Sequence, residues 1–296
     1  MQPERSVQPL FSRFKLFSSL SLLLPIFAAG VWLKRQPNRW PQPDRVVVGH
    51  ADEVAVGVGL RAWRLSARDP RFGGLSALAI DGAALLALSD SGVVVRFAPP
   101  RPGQAMRVAL HDLPAGPGSA SRKATRDSES LLADGSGGWW VGFENRHSLW
   151  RYDGRFARVL GTRRLDVDWP VNSGAEALVA GKSGVMALPE GGGRAAGGDF
   201  IAPAWTSDAT RLPDGRLVLL IRRPTLSGFA NQLRIGAGAG KPARTIALDL
   251  APLDNMEGVA AAPLPDGGTR LWIVSDDNFR PWMRTLLVAL DLGPHE

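Results

Sequence analysis

The sequence predicts an all-β fold, a six-bladed β-propeller preceded by an N-terminal hydrophobic helix. Three observations lead to this prediction. From residue 46 onward the chain consists of short apolar runs separated by Gly- and Pro-rich turns, without a sustained helical period. An acidic five-residue segment recurs along it, and several copies precede an Asp-Gly pair, which is a strong hairpin signal between apolar runs. Hairpins repeated at a regular interval are typical of blades arranged around an axis.

The recurring segment carries an acid near its centre. Its copies are Asp127–Leu131, Gly174–Leu178, Ser207–Arg211 and Asn255–Val259, and a fifth copy, Gly74–Leu78, has Leu75 in place of the acid. The acids fall at positions 129, 176, 208 and 257, at intervals of 47, 32 and 49 residues. A propeller blade takes about 40–50 residues. Five copies, with the strands of residues 46–65 completing the ring, predict six blades and leave five or seven open.

The N-terminal region differs from the rest in composition. Residues 16–33 carry no charge and are flanked by basic residues, so we expect residues 1–33 to be a signal peptide or a membrane anchor, with both alternatives open. Three prolines make residues 34–45 a linker, and residues 46–296 form the propeller domain. This organisation predicts export to the periplasm or cell envelope, with attachment to the membrane if the segment is not cleaved.

Composition excludes several functions. The chain has no cysteine, which removes thiolate metal sites and a cysteine nucleophile. The net charge of +7 comes mostly from the first 40 residues, which hold six Lys or Arg and one acid. The propeller region is therefore nearly balanced and shows no basic cluster with aromatic platforms, so we expect no nucleic-acid partner.

The acids of the repeated segment predict a metal site. If Glu129, Glu176, Asp208 and Glu257 begin the innermost strands, they converge at one mouth of the central channel. Clustered carboxylates repel one another unless a cation neutralises them, and oxygen ligands suit Ca²⁺. The alternative is that each acid caps a turn or bonds to the backbone of the next blade.

Further candidates follow strand ends. Asp277 adds an oxygen ligand after the strand 271–274. Glu144, at the end of another strand, is a candidate catalytic residue, and the alternative is that it belongs to a polar turn. Arg222 and Arg280 are expected to hold an anionic group of a substrate. The glycine-rich segment 236–241 is faintly similar to a phosphate-binding loop, but Pro242 follows its lysine, and we interpret it as a turn.

Several of these motifs together resemble the family named for the esterase-like activity of phytase. The matching segments are Gly73–Leu78 with Leu88–Gly92, Asp127–Leu131, Gly142–Arg146, Asn255–Val259, and Ser275–Phe279 with Arg284–Leu287. The resemblance spans roughly residues 60–292. It implies a β-propeller that is usually exported in bacteria and is related to calcium-dependent propeller phytases.

Two functions follow as expectations. The first is a Ca²⁺-dependent hydrolase of small phosphoesters or carboxylic esters at the channel mouth. The second is a non-catalytic propeller that serves as a scaffold or binds a ligand at the cell envelope, because a propeller fold supports both roles.

Overall fold

The computed structural model of the protein describes residues 40–54, 60–182, 184–238, 240–248 and 254–294. The predicted N-terminal hydrophobic helix and residues 34–39 of the predicted linker lie outside these ranges. Among the described residues, no helix is long and apolar enough to span a membrane.

The described chain is all-β and forms five antiparallel blades. The first two strands are β1 (Arg45–Val54) and β2 (Leu60–Ala67). Blade I contains β3 (Leu75–Asp81), β4 (Ala84–Ser89), β5 (Val93–Phe97) and β6 (Met106–Asp112), and blade II contains β7 (Ser128–Ala133), β8 (Trp139–Phe143), β9 (Ser148–Tyr152) and β10 (Val159–Arg164). Between them stands one helical turn, Lys123–Arg126, and a 3-10 turn, Glu144–Arg146, follows β8.

The remaining blades follow in chain order. Blade III contains β11 (Ala175–Gly181), β12 (Gly184–Pro189), β13 (Gly193–Arg194) and β14 (Ile201–Ala202); blade IV contains β15 (Thr206–Arg211), β16 (Leu217–Thr225), β17 (Gly228–Ile235) and β18 (Arg244–Leu248); and blade V contains β19 (Asn255–Pro263), β20 (Thr269–Asp276), β21 (Leu286–Leu292) and β2. In blade III a bridge between Ala187 and Ala196 joins β12 to the segment that connects the outer pair, β13 and β14.

The estimate of six blades is wrong. The innermost strands β3, β7, β11, β15 and β19 each lie against the next, and β19 lies against β3, so five blades close the ring. The strands near the N-terminus close it at the outer edge instead, because β2 pairs with β21 of the last blade and β1 joins β2 to β6 of the first. The pairing of β2 with β21, which are separated by most of the chain, thus locks the propeller.

The Asp-Gly pairs form the predicted hairpins between the first and second strands of blades I, II, IV and V. Their glycines adopt positive φ angles of 60°, 76°, 87° and 84°, at Gly82, Gly135, Gly215 and Gly267. In three of these turns the aspartate accepts backbone N–H groups that follow it, as at Asp134, whose Oδ1 binds the N–H of Ser136 at 2.7 Å. Since these hairpins end the innermost strands, the opposite end of the channel receives the strand starts.

Apolar cores lie between neighbouring blades. One core joins Leu212 and Val218 of blade IV to Met256 and Leu271 of blade V, and similar clusters fill the other four interfaces. A fully buried large apolar side chain contributes about 1.5–3 kcal/mol to stability. The blades therefore hold each other in register, and this register sets the geometry of the channel.

Candidate functional site

Every innermost strand has a β-bulge at the same place near its start. The pairing of each with its second strand shifts register there, and the bulged residues, which we call the inner ring, are Ser76, Glu129, Glu176, Ser207 and Glu257. A bulge inserts one unpaired residue and re-aims its side chain. The repeated segment therefore marks this bulge, and the propeller gathers the five positions at one end of the channel, which we call the mouth.

A second set of charged residues surrounds the mouth. Its members lie in the second strand of each blade or directly after it, one residue beyond the partner of the residue that precedes the bulge. We call it the outer ring, and its members are Asp90, Glu144, Glu190, Arg222 and Asp276. Sequence reasoning missed Asp90, Glu190 and Asp276 as site residues, although all five blades carry a charged residue at this position of the second hairpin arm.

One side of the mouth is organised by Lys123. Its ammonium forms ion pairs with Asp90, with Asp127 at 2.9 Å from Nζ to Oδ1, and with Glu129 at 3.9 Å from Nζ to Oε1. Burial alone lowers the pKa of Lys123, but the three carboxylates Asp90, Glu129 and Asp127 outweigh it and raise the pKa. Lys123 stands in the loop between blades I and II, and it is a site residue that the sequence did not reveal.

Arg222 organises the other side. Its Nη2 donates to Glu190 Oε1 at 2.7 Å, and its Nη1 donates to Asn255 Oδ1 at 2.8 Å and lies 3.3 Å from Glu257 Oε1. The Asn255 amide also donates to Glu257 Oε1 at 2.6 Å. The structure therefore brings Arg222 to the mouth, where its guanidinium forms ion pairs with Glu190 and Glu257.

Between these cations lies a group of carboxylates close enough to share one ion. Oxygens of Asp127, Glu129 and Glu144 all lie within 4.8 Å of one another. Ca²⁺ binds oxygens at about 2.3–2.6 Å, so ligands on one ion stand within roughly twice that distance. The spacing therefore suits a calcium ion at Asp127 and Glu129, with Glu144 adjacent, and this ion would displace the Lys123 ammonium that pairs with Asp127 and Glu129.

Four carboxylates at the mouth, Glu129, Glu144, Glu176 and Asp276, have raised pKa values. Burial raises the pKa of Glu129 and Glu176 well above the ordinary value, and Asp127 and Glu190 respectively add to the effect. Burial, followed by the charges of Asp127 and Glu190, raises the pKa of Glu144 to about 7. Burial, followed by Glu257 and Asp90, raises the pKa of Asp276 in the same way. Since Lys123 and Arg222 do not neutralise this set, the mouth favours an added cation.

Asp208 does not join the ring, which corrects the prediction for the fourth segment. The bulged residue there is Ser207, one position earlier, and the carboxylate of Asp208 faces into the blade interface. Its Oδ1 accepts the N–H of Ala209 at 2.8 Å and its Oδ2 accepts the N–H of Val259 at 2.7 Å. Asp208 therefore joins blade IV to blade V, and in the first segment the ring position is likewise Ser76 rather than Leu75.

Asp277 lies in the loop after β20 and connects the last blade to the first. Its Oδ1 accepts from the N–H groups of Gly74 and Phe279, at 2.9 and 3.0 Å, and its Oδ2 accepts from Thr285 Oγ1 at 2.8 Å. A Cβ added at Gly74, where φ is +61°, would come within 2.4 Å of the Phe279 ring. Glycine is therefore required where this loop approaches β3.

Arg280 belongs to the same loop and has no contact with the acids of the mouth among the described residues. Its guanidinium lies over the Trp282 ring, 5.8 Å from the centroid, and both residues are partly accessible at the rim. This leaves the Arg280 charge available to an anion that approaches the mouth.

Comparison with known proteins places the chain by family. A family model described as "Esterase-like activity of phytase" matches residues 70–204 and 203–279. A comparison with curated protein sequences finds no match.

Similar solved structures include three with β-rich folds. A structure titled streptogramin B lyase is 9% identical, covers 82% of this chain and 98% of its own, and has a TM-score of 0.40. The WD40 repeats of RRP9 are 9% identical with coverages of 82% and 100% and a TM-score of 0.40. The virginiamycin B lyase from Staphylococcus aureus is 10% identical with coverages of 84% and 100% and a TM-score of 0.42.

Proposed function

We propose, from the premise that this chain belongs to the family described as esterase-like activity of phytase, that the mouth is the active site of a cation-dependent ester hydrolase. The substrate class is a small phosphoester or carboxylic ester. The observation that carries this proposal is the group Asp127, Glu129 and Glu144, whose oxygens lie within 4.8 Å of one another in a buried, acid-rich setting.

Three acidic residues of the mouth would have distinct roles in the reaction. Asp127 and Glu129 would hold Ca²⁺, which when bound polarises an ester oxygen and stabilises the negative charge that develops on it. Glu144, with a pKa of about 7, would accept the proton of the attacking water at its carboxylate. The water oxygen forms a bond to phosphorus or carbon and the ester bond breaks. The departing alkoxide would take up the proton that Glu144 received, which returns Glu144 to its carboxylate form.

Of the two arginines predicted to bind an anionic group of the substrate, Arg280 is the better placed to do so. Arg222 already serves Glu190 and Glu257, so its role is to position these carboxylates and Asn255. Arg280 at the rim would meet the anionic oxygen of a phosphoester before it enters the mouth. The proposal also includes export, which rests on the uncharged segment 16–33.

The test combines catalysis with cation binding by the full-length protein. We expect hydrolysis of p-nitrophenyl phosphate or p-nitrophenyl acetate that rises with Ca²⁺ and stops with a chelator. Calcium at 100 times its Kd should stabilise the fold by about 2.7 kcal/mol, measured as an increase in Tm. Glu129→Gln should remove both effects, since it deletes a charge and preserves the shape.

Glu53→Gln is the matched control, because Glu53 is exposed on β1 and pairs only with Arg61 among the described residues. It should leave both measurements unchanged. A calcium-induced increase in Tm without hydrolysis of either ester would favour a non-catalytic cation-binding propeller. Absence of both responses at millimolar calcium would overturn the proposal and favour a scaffold.

A further inference from the structure

A second cavity opens at the other end of the propeller. It has a volume of about 970 Å³ and lies between blades III and IV. Its walls include Gly181 and Lys182 from the β11–β12 hairpin and Gly215 from the β15–β16 hairpin. Because these hairpins end the innermost strands, the cavity faces away from the mouth. We call it the III–IV cleft.

The cleft exists because blade III is incomplete. Strands β13 and β14 contain two residues each, whereas β17 and β18 of blade IV contain eight and five. The segment that replaces a regular outer strand, residues 195–200, includes Gly197 and Gly198, and both line the cleft. A wide apolar floor is thereby left partly uncovered, and Met186, Phe200 and Leu217 contribute to it.

The charges around the cleft are mainly positive. The Arg211 guanidinium is held by neutral carbonyl oxygens, with Nε donating to Ala180 at 2.9 Å and Nη1 donating to Gly215 at 2.8 Å. Arg234 is exposed, and with the Gln232 amide turned so that its oxygen faces the guanidinium, Nε and Nη2 donate to that neutral oxygen at 3.0 and 2.9 Å. These partners fix the two guanidinium groups in position without neutralising them.

The acid that lines the III–IV cleft does not neutralise these basic side chains. Lys182 is exposed and forms no ion pair within the part of the chain that the structure describes, whereas the lining acid Asp199 pairs with Arg194 at 3.0 Å. The segment that resembled a phosphate-binding loop contributes Gly236 and Ala237 to the wall. Its lysine, Lys241, points elsewhere and donates to the Pro294 carbonyl at 3.0 Å.

We infer that the III–IV cleft binds a small organic anion that joins a phosphate or carboxylate head to an apolar body. Arg211, Arg234 and Lys182 would surround the head, because guanidinium groups donate to such oxygens in pairs. Met186, Phe200 and Leu217 would pack against the body. The volume falls in the range of about 300–1,000 Å³ that is usual for small-molecule sites. This site is separate from the proposed hydrolase site and does not depend on it.

Hexyl phosphate is a suitable probe, measured by isothermal titration calorimetry with the full-length protein. We expect binding to wild type and a Kd about tenfold weaker after Arg211→Gln or Arg234→Gln, since each removes a charge-assisted contact. Inorganic phosphate should bind at least about tenfold more weakly than hexyl phosphate, because it lacks apolar contacts. Hexyltrimethylammonium, with the same chain and opposite charge, should not bind. Arg107→Gln on β6 is the matched control and should leave the Kd unchanged.

Arg211→Gln also loses two backbone contacts, so Arg234→Gln and Lys182→Gln decide the outcome if the first variant does not fold. The inference is overturned if hexyl phosphate fails to bind at millimolar concentration. It is equally overturned if binding is insensitive to all three substitutions. Loss of binding in Glu129→Gln, with the cleft variants unaffected, would place the probe at the mouth and also overturn it.

Discussion

The two ends of the propeller carry opposite charges, and they acquire them in different ways. At the mouth, all five blades contribute a residue to each ring, and acids occupy most of the positions. At the III–IV cleft, only two blades contribute, and the basic groups lie on the β11–β12 hairpin, at the end of β15 and on β17. Radial repetition thus concentrates a residue type that recurs in each blade, while one incomplete blade exposes a surface that the repeat would otherwise cover.

The regions also differ in how their charges are paired. Lys123 and Arg222 each contact carboxylates at the mouth and are largely buried with them, whereas Arg211 and Arg234 contact neutral oxygens in the cleft. We therefore expect substitutions at the mouth to change folding stability strongly. Substitutions in the cleft should change it little and act on ligand binding.

The largest expected effect is that of Lys123→Met. Without the ammonium, Asp90, Asp127 and Glu129 are left as neighbouring buried acids, and breaking such a pair costs about 3 kcal/mol. Urea denaturation at pH 8 measures the loss, and saturating calcium should restore part of it. Lys182→Met is the matched control in the cleft, with an expected change within about 0.5 kcal/mol. Equal losses in the two variants would contradict the contrast between the regions.

The second effect is a dependence of stability on pH that comes from the mouth. The folded-state pKa of Glu144 is about 7, above the ordinary 4.5, so the folded protein binds its proton more tightly. The resulting stability is present below about pH 4.5 and is lost as pH rises through 7. We expect the free energy of unfolding to fall by about 2 kcal/mol over this window. Denaturation between pH 5 and 8 measures it.

Glu144→Gln should reduce that slope, and calcium should reduce it as well, because a bound cation stabilises the ionised carboxylates. Arg234→Gln in the cleft serves as the control and should leave the slope unchanged. A slope that is the same in wild type and Glu144→Gln would remove Glu144 as a titrating group.

The third effect distinguishes Asp208, which joins two blades, from the acids of the inner ring. Asp208→Asn replaces one of two acceptor oxygens by a donor, so the N–H of Ala209 or of Val259 loses its partner. An unsatisfied buried group costs about 1–3 kcal/mol. We expect a lower Tm with the full calcium-induced increase retained, in contrast to Glu129→Gln. Loss of the calcium-induced increase in Tm in Asp208→Asn would show instead that Asp208 takes part in cation binding.

The repeated segment predicted the ring where its register was unambiguous. Glu129, Glu176 and Glu257 were identified from their place in the segment, and all three lie at bulges. In the fourth copy Ser207 and Asp208 are adjacent, and choosing the acid shifted the register by one residue. Since successive side chains in a strand point to opposite faces, this shift moved the acid from the channel to the blade interface.

Other features depended on contacts between distant parts of the chain. The first strands were counted toward a sixth blade because their own sequence does not show that β2 pairs with β21. Lys123 lies in the segment between β6 and β7, and the sequence of this segment does not show that it reaches the mouth. The III–IV cleft depends on the shortness of β13 and β14, and a glycine-rich turn in the sequence does not specify which surface it leaves open.

The smallest expected effect concerns the cleft itself. Arg234 is exposed and its guanidinium has a neutral partner, so Arg234→Gln should change the free energy of unfolding by less than about 0.5 kcal/mol. The same substitution should reduce the salt dependence of hexyl phosphate binding, because it removes one of three basic groups around the head and exposed charges are screened over about 10 Å at 0.1 M salt. Titrations at 0.02 and 0.3 M sodium chloride measure this difference. If Arg234→Gln destabilised the fold as much as Lys123→Met, the cleft charges would be structural, and the two ends of the propeller would not differ in the way proposed.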